Sequence, residues 1–198
     1  MKYDAIVLML ISSMFTILGI LIGGYLNHKS AKELFSFQQN RELKIRTYSK
    51  LMGLKMPLVQ TIQTTVEAKM LCEYYDARFK FISKDRADLD EAKSQNERML
   101  ATIPQVSALK RELFEELGNV KISFDVSTEM SVLIDKIYKH QGIDVSEISA
   151  KDGEVIDNRF LDDWKSKTMI QIQDYLNENF LSNFEGLLPL MSQQIKED

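Results

Sequence analysis

Residues 5–26 read AIVLMLISSMFTILGILIGGYL, 22 consecutive positions without a charge. A helix rises about 1.5 Å per residue and a bilayer's hydrocarbon core is about 30 Å thick, so about 20 apolar residues make one crossing. The run therefore predicts a transmembrane helix over residues 5–26, preceded by a short segment, residues 1–4. A cleaved secretory signal has an apolar core of only about 7–15 residues and a small-x-small cleavage site. This run is longer and no A-x-A site follows it, so the anchor is expected to be retained.

Charge flanking the run sets the expected orientation. On its N-terminal side stands Lys2, whereas Lys29, Lys32, Arg41, Lys44 and Arg46 follow it. Cations close to a span are held on the cytoplasmic side, which predicts a bacterial inner-membrane protein with its N-terminus outside and the rest inside. Residues 27–55 hold seven basic and two acidic groups, net +5, and residues 56–198 hold 17 basic and 26 acidic groups, net −9. A basic neck thus joins the span to an acidic head, and the five cations just named form a candidate surface for anionic headgroups of the lipid bilayer. An acidic head argues against nucleic acid as a partner, because phosphate-backbone binding relies on cations that release counterions.

Inside the run, Ser12, Thr16, Gly19 and Gly23 are spaced by four, three and four residues, which places them on one helix stripe ending in a GxxxG pair. Lipid tails are as apolar as leucine, so helices associate in a bilayer through close packing and interhelical hydrogen bonds, and small residues allow both. The stripe predicts a homo-oligomer assembled through the transmembrane helix.

The remainder reads as all-α. Three prolines and eight glycines among 198 residues are few, and Leu, Lys, Glu, Gln, Met and Ala are common, which favours helices over a turn-rich sheet. Residues 27–56 are expected to continue the membrane helix as a basic stalk. Pro57, lacking an N–H, predicts a kink or restart beside Gly53, and residues 57–198 then form an antiparallel helical bundle. Its first helix carries Leu58, Ile62, Val66, Met70 and Tyr74 at four-residue steps and ends near Ile82. Ser83, Lys84 and Asp85 supply a cap for a helix over 86–103, and Pro104 opens another with Val106, Leu109, Leu113, Phe114 and Leu117 inward. Gly118 with Asn119 reads as an ending, and the alternation of Val120, Ile122 and Phe124 leaves room for a short extended piece. Asp125 or Ser127 caps the next helix, which uses Met130, Leu133, Ile134 and Ile137 and stops near Gly142. The longest loop is expected over 141–153. A last helix from about residue 154 turns Phe160, Leu161, Trp164, Met169, Ile172, Tyr175, Leu176 and Phe180 inward, and a weaker tail ends after Pro189.

Chemistry is sparse. His28 and His140 are the only histidines, so neither a His-based triad nor a multi-histidine metal site can form within one chain. The helical HEPN ribonucleases carry an arginine a few residues before a histidine, and no arginine stands four to six residues before either histidine here. The pairs Asp90/Glu91, Glu115/Glu116 and Asp162/Asp163 are adjacent on helices and diverge by about 100°, the pattern of solvated faces. No phosphate loop or nucleophile elbow is present. Cys72, the single cysteine, reads as core packing, and Tyr74, Tyr75, Phe79 and Phe81 as core aromatics. No cofactor is expected, and the chain does not read as an enzyme.

The segments LMGLKMPLVQ (residues 51–60) and DDWKSKTMIQIQDYL (residues 162–176) resemble those of uncharacterised bacterial single-pass membrane proteins with a helical cytosolic domain. The resemblance brings no assigned catalytic residue. In architecture the chain is also similar to membrane effectors and accessory proteins of bacterial antiviral systems. The expected function is a membrane-anchored, self-associating protein whose head binds a cytosolic protein partner or senses a signal. The rivals are a pore that depolarises the membrane, resting on the hydroxyls of Ser12, Ser13 and Thr16, and an enzyme with a site shared between subunits.

Overall fold

The structure, a computed structural model, describes the backbone of residues 2–139, 142–143, 145–149 and 155–197, and within those ranges the side chains from residue 22 onward. Among the described residues the chain is predominantly helical and has no strand. Helix α1 is Lys2–Arg78 and ends in a π-turn, Phe79–Ser83. Helix α2 is Arg86–Ser123, α3 is Thr128–Tyr138, and α4, Asn158–Leu176, continues through a π-turn, Asn177–Leu181, into α5, Ser182–Glu197. The chain divides into two compact units, Met1–Leu43 and Lys44–Asp198. The second is the bundle. It takes in residues 44–56, which the sequence composition assigns to the stalk, because Leu51 and Leu54 are buried in it.

Helix starts are where the side chains put them. Asp85 accepts from the Ala87 N–H, Ser127 from Met130 and Asp157 from Phe160, at 3.0, 3.2 and 2.8 Å, each satisfying an orphan donor of a first turn. Lys84 takes the left-handed conformation (φ 50°) that turns the chain between the π-turn of α1 and α2.

The prolines are the main departure from the sequence expectation. Pro57, Pro104 and Pro189 all lie inside continuous helices, so the expected break at Pro57 and the separate helix from Pro104 do not occur, and α5 runs on past Pro189 to Glu197 where a weaker tail is expected to end. Each proline is exposed, as are Gly53, Leu100 and Glu185 four residues earlier, whose carbonyls lose an N–H partner. Water can take those carbonyls, which lowers the cost that proline exacts in a buried turn. The Val120–Phe124 alternation likewise gives helix to Ser123, not an extended piece.

Within the bundle, α1 and α2 form a long antiparallel hairpin. Thr65 Oγ1 donates to Thr102 Oγ1 at 2.8 Å, Lys50 pairs with Glu116, and Arg78 Nε lies 3.5 Å from Asp88 Oδ2 near the turn. With 38 residues in α2, the hairpin is about 57 Å long. Helices α4 and α5 run antiparallel to α1: Tyr74 Oη donates to Asp162 at 3.0 Å at one end, and Lys55 meets Glu185 at 3.2 Å nearer the other. Helix α3 packs against α2 and α5 in the half away from the hairpin turn. Tyr138 Oη donates to the Phe114 carbonyl at 2.9 Å, and a Cβ at Gly186 would lie 3.0 Å from Leu133 Cδ1.

The main core gathers Leu51, Leu58, Met70, Leu113, Leu117, Ile134, Ile172, Phe180 and Phe184. A smaller cluster of Tyr74, Ala77, Ile156 and Leu161 lies toward the hairpin turn, and Trp164 packs against both. At the second π-turn Asn183 is buried, and its amide donates to the Glu178 and Asn179 carbonyls at 3.0 and 2.9 Å. There the Ser182 N–H reaches back five residues to the Asn177 carbonyl, the bond of a widened turn.

Candidate functional site

The side chains of Ser12, Thr16 and Gly19 lie outside the described residues. A Cβ built on Gly23 would meet nothing within 4 Å, so that end of the stripe is open. Among the described residues no helix is long and apolar enough to cross a membrane; most of residues 5–26 falls where backbone alone is described. Of the neck cations, Lys29, Lys32, Arg41 and Arg46 are exposed, and Lys29 stands 4.0 Å from Glu33 one turn on. Lys44 differs from the expectation. It is only 4% exposed, with its ammonium 5.7 Å from the Phe124 ring centroid. Its stem packs in the bundle and does not form part of an outward basic face.

Glu116 is a second departure. Glu115 is exposed as expected, but Glu116 is 1% exposed, accepts from Lys50 and also takes a hydrogen bond of 3.1 Å from Asn119. Burying a carboxylate is costly unless a charge and further donors meet it, and this pair ties α1 to α2. Burial, then Glu73 and Asp76, push the Cys72 thiol up, which leaves less of the nucleophilic thiolate. His28 is exposed and His140 lies outside the described residues. Among the described residues no three His, Cys, Asp or Glu side chains gather to hold a metal ion.

Two features of the bundle have the character of binding surfaces. The first is a stripe on the outer face of α1: Ile45, Met52 and Met56, exposed by 43, 52 and 50%, are spaced by seven and four residues and so lie one above another. Methionine suits such a surface because its flexible thioether adapts to varied partners. The second is a pocket of about 190 Å3 between α1, α2, α4 and residues 142–143. Its wall is largely aliphatic, from Ile62, Val66, Val106 and Ile143, and four polar side chains also line it, Thr65, Ser107, Lys110 and Tyr175. Burial lowers the Lys110 ammonium from the usual lysine range, and burial pushes the Tyr175 phenol up to about 12.

The sequence reading places Ile62, Val66, Val106 and Tyr175 in the core and misses Lys110. A signal was available: the positions three and four residues either side of Lys110 are Val106, Ser107, Leu113 and Phe114. A surface lysine on a helix commonly finds a carboxylate there; this one faces the apolar stripe. A wider cleft of about 570 Å3 lies between α3 and the second π-turn, lined by Asp135, Lys136, Lys139 and Glu178 among others. Its charges are mixed and solvated. No protein-family profile, curated protein or solved structure matches the chain.

Proposed function

We propose that the chain is a single-pass protein of the bacterial inner membrane that self-associates through its span and presents a helical head in the cytoplasm to a protein partner or a signal. The observation that carries this reading is the uncharged run at residues 5–26 followed by the cations Lys29, Lys32, Arg41 and Arg46, since length and flanking charge together select a spanning, inward-facing arrangement. Support for a binding role comes from the stripe Ile45, Met52 and Met56, which offers an adaptable apolar surface exposed among the described residues.

Self-association is tested by Gly19→Ile and Gly23→Ile, each of which adds a branched side chain where two backbones must nearly touch. Ile17→Leu and Leu21→Ile are the controls, because lipid accepts either side chain. Crosslinking and native mass of the full chain, with membrane fraction checked for every variant, should show loss of oligomer for the glycine variants alone. Glycine variants that assemble as well as the parent would remove the span from the assembly.

A further inference from the structure

Lys110 and Tyr175, both hydrogen-bond donors, line the same pocket from α2 and α4. Neither the Lys110 ammonium nor the Tyr175 hydroxyl has a hydrogen-bond or ion-pair partner among the described residues. A half-buried ammonium without a counter-charge forgoes part of its hydration and gains no ion pair in return. The pocket thus combines a largely aliphatic wall with Lys110, a charged donor, and the hydroxyls of Tyr175 and Ser107, and its complement is a ligand with an apolar body and one anionic, acceptor-only end.

Size narrows the class. A cavity of about 150 Å3 accommodates a benzene ring, so the 190 Å3 here holds a ring or a short acyl chain but is too small for a drug-sized molecule. We infer that this pocket is a binding site for a small apolar monocarboxylate, with the carboxylate held by Lys110 Nζ and Tyr175 Oη and the apolar body against Ile62, Val66, Val106 and Ile143. The inference rests on reading the head as a signal-binding unit and not on the anchor or on self-association. It names that signal's chemistry. Binding would join α1, α2, α4 and residues 142–143 around one ligand.

The test is titration of the full chain in nanodiscs, where no detergent tail competes for the pocket, with 4-fluorobenzoate followed by 19F NMR line broadening. Saturable binding is expected with Kd of about 1 mM or tighter. Lys110→Met should weaken it about tenfold or more and Tyr175→Phe about fivefold, from loss of a charge-assisted and a neutral donor. Lys110→Arg, which keeps the charge, should stay within a few-fold of the parent. 4-Fluorobenzamide, with the same ring and no charge, should bind at least tenfold more weakly. Hexanoate should displace the probe, whereas dodecanoate, too long for the volume, should do so no better than hexanoate. Circular dichroism confirms that each variant keeps its helicity. Absence of saturable binding to the parent, equal binding by Lys110→Met, or equal binding of the amide overturns the assignment. If binding fails while the oligomer persists, only this inference falls; if the oligomer fails while binding persists, only the span-built assembly does.

Discussion

Removing Lys50 should cost the bundle more than removing the charge of Glu116, although the two side chains form one ion pair. The structure makes the pair lopsided: Glu116 is 1% exposed, whereas the Lys50 side chain keeps 38% of its surface open to solvent. Lys50→Met therefore leaves a carboxylate with almost no water and only the Asn119 amide as donor. An uncompensated buried charge costs about 3–5 kcal/mol, and the remaining amide argues for the low end, about 3 kcal/mol. Glu116→Gln leaves an ammonium that water can reach and a neutral amide that can still accept, so the loss is that of a screened charge, about 1 kcal/mol. For a unit of this size each kcal/mol moves Tm by roughly 3 °C, giving drops of roughly 9 and 3 °C. Thermal unfolding of the full chain in mild detergent, followed at 222 nm, reads the difference. The double variant Lys50→Met/Glu116→Leu should recover most of the loss, since no charge is left buried. Equal drops for the two single variants, or a larger one for Glu116→Gln, would refute the reasoning that burial of one partner governs the pair.

Glycine substitutions give a second contrast. Gly118→Ala in α2 should stabilise by about 0.5–1 kcal/mol, because its added Cβ meets nothing within 4 Å and alanine is the better helix former. Gly186→Ala should give no such gain, since its Cβ would press on Leu133 at 3.0 Å; denaturant midpoints of the two variants check this. Tyr175 predicts a pH effect: burial in the folded state pushes its phenol up to about 12 from the ordinary 10.0. The folded state therefore holds its proton longer, and this contribution, whole below pH 10, is lost as pH rises toward 12. Tyr175→Phe should flatten that part of the stability curve; an unchanged slope would exclude Tyr175 as its source. Topology is checked by reporters fused after Asp198: a cytoplasmic reporter should be active and a periplasmic one silent, and the reverse would overturn the orientation argument.

Much of the bundle was legible because caps and core periodicity are local. Asp85 and Ser127 open α2 and α3 as read, and Leu58, Ile62, Met70, Leu113, Leu117, Ile134 and Ile172 are buried as their spacing requires. The prolines were misread because a lost N–H is visible in sequence and the solvation of the freed carbonyl is not. The phase of the buried residues did carry the answer: Leu51, Leu54, Leu58 and Ile62 pass Pro57 without a break in step. The pocket was less legible. Lys110 and Tyr175 are 65 positions apart, and antiparallel packing of separate helices brings them together. Glu116 looked solvated because its exposed neighbour Glu115 and its distant partner Lys50 give no local sign of burial.

The widened turn at Asn177–Leu181 settles a problem of phase in the last helical rod. Ile172, Leu176, Phe180 and Phe184 face the core at steps of four residues, yet an α-helix repeats every 3.6 residues, so three such steps would rotate the stripe by about 120°. One extra residue in a turn absorbs about 100° of that rotation, and Phe184, Leu187 and Met191 resume on the core side. The number of residues between Ile172 and Phe184 is therefore a fixed quantity of the fold. Loss or gain of a single residue there would turn everything after it by about a quarter of a circle or more, exposing Phe184 and Leu187 and carrying Glu185 away from Lys55.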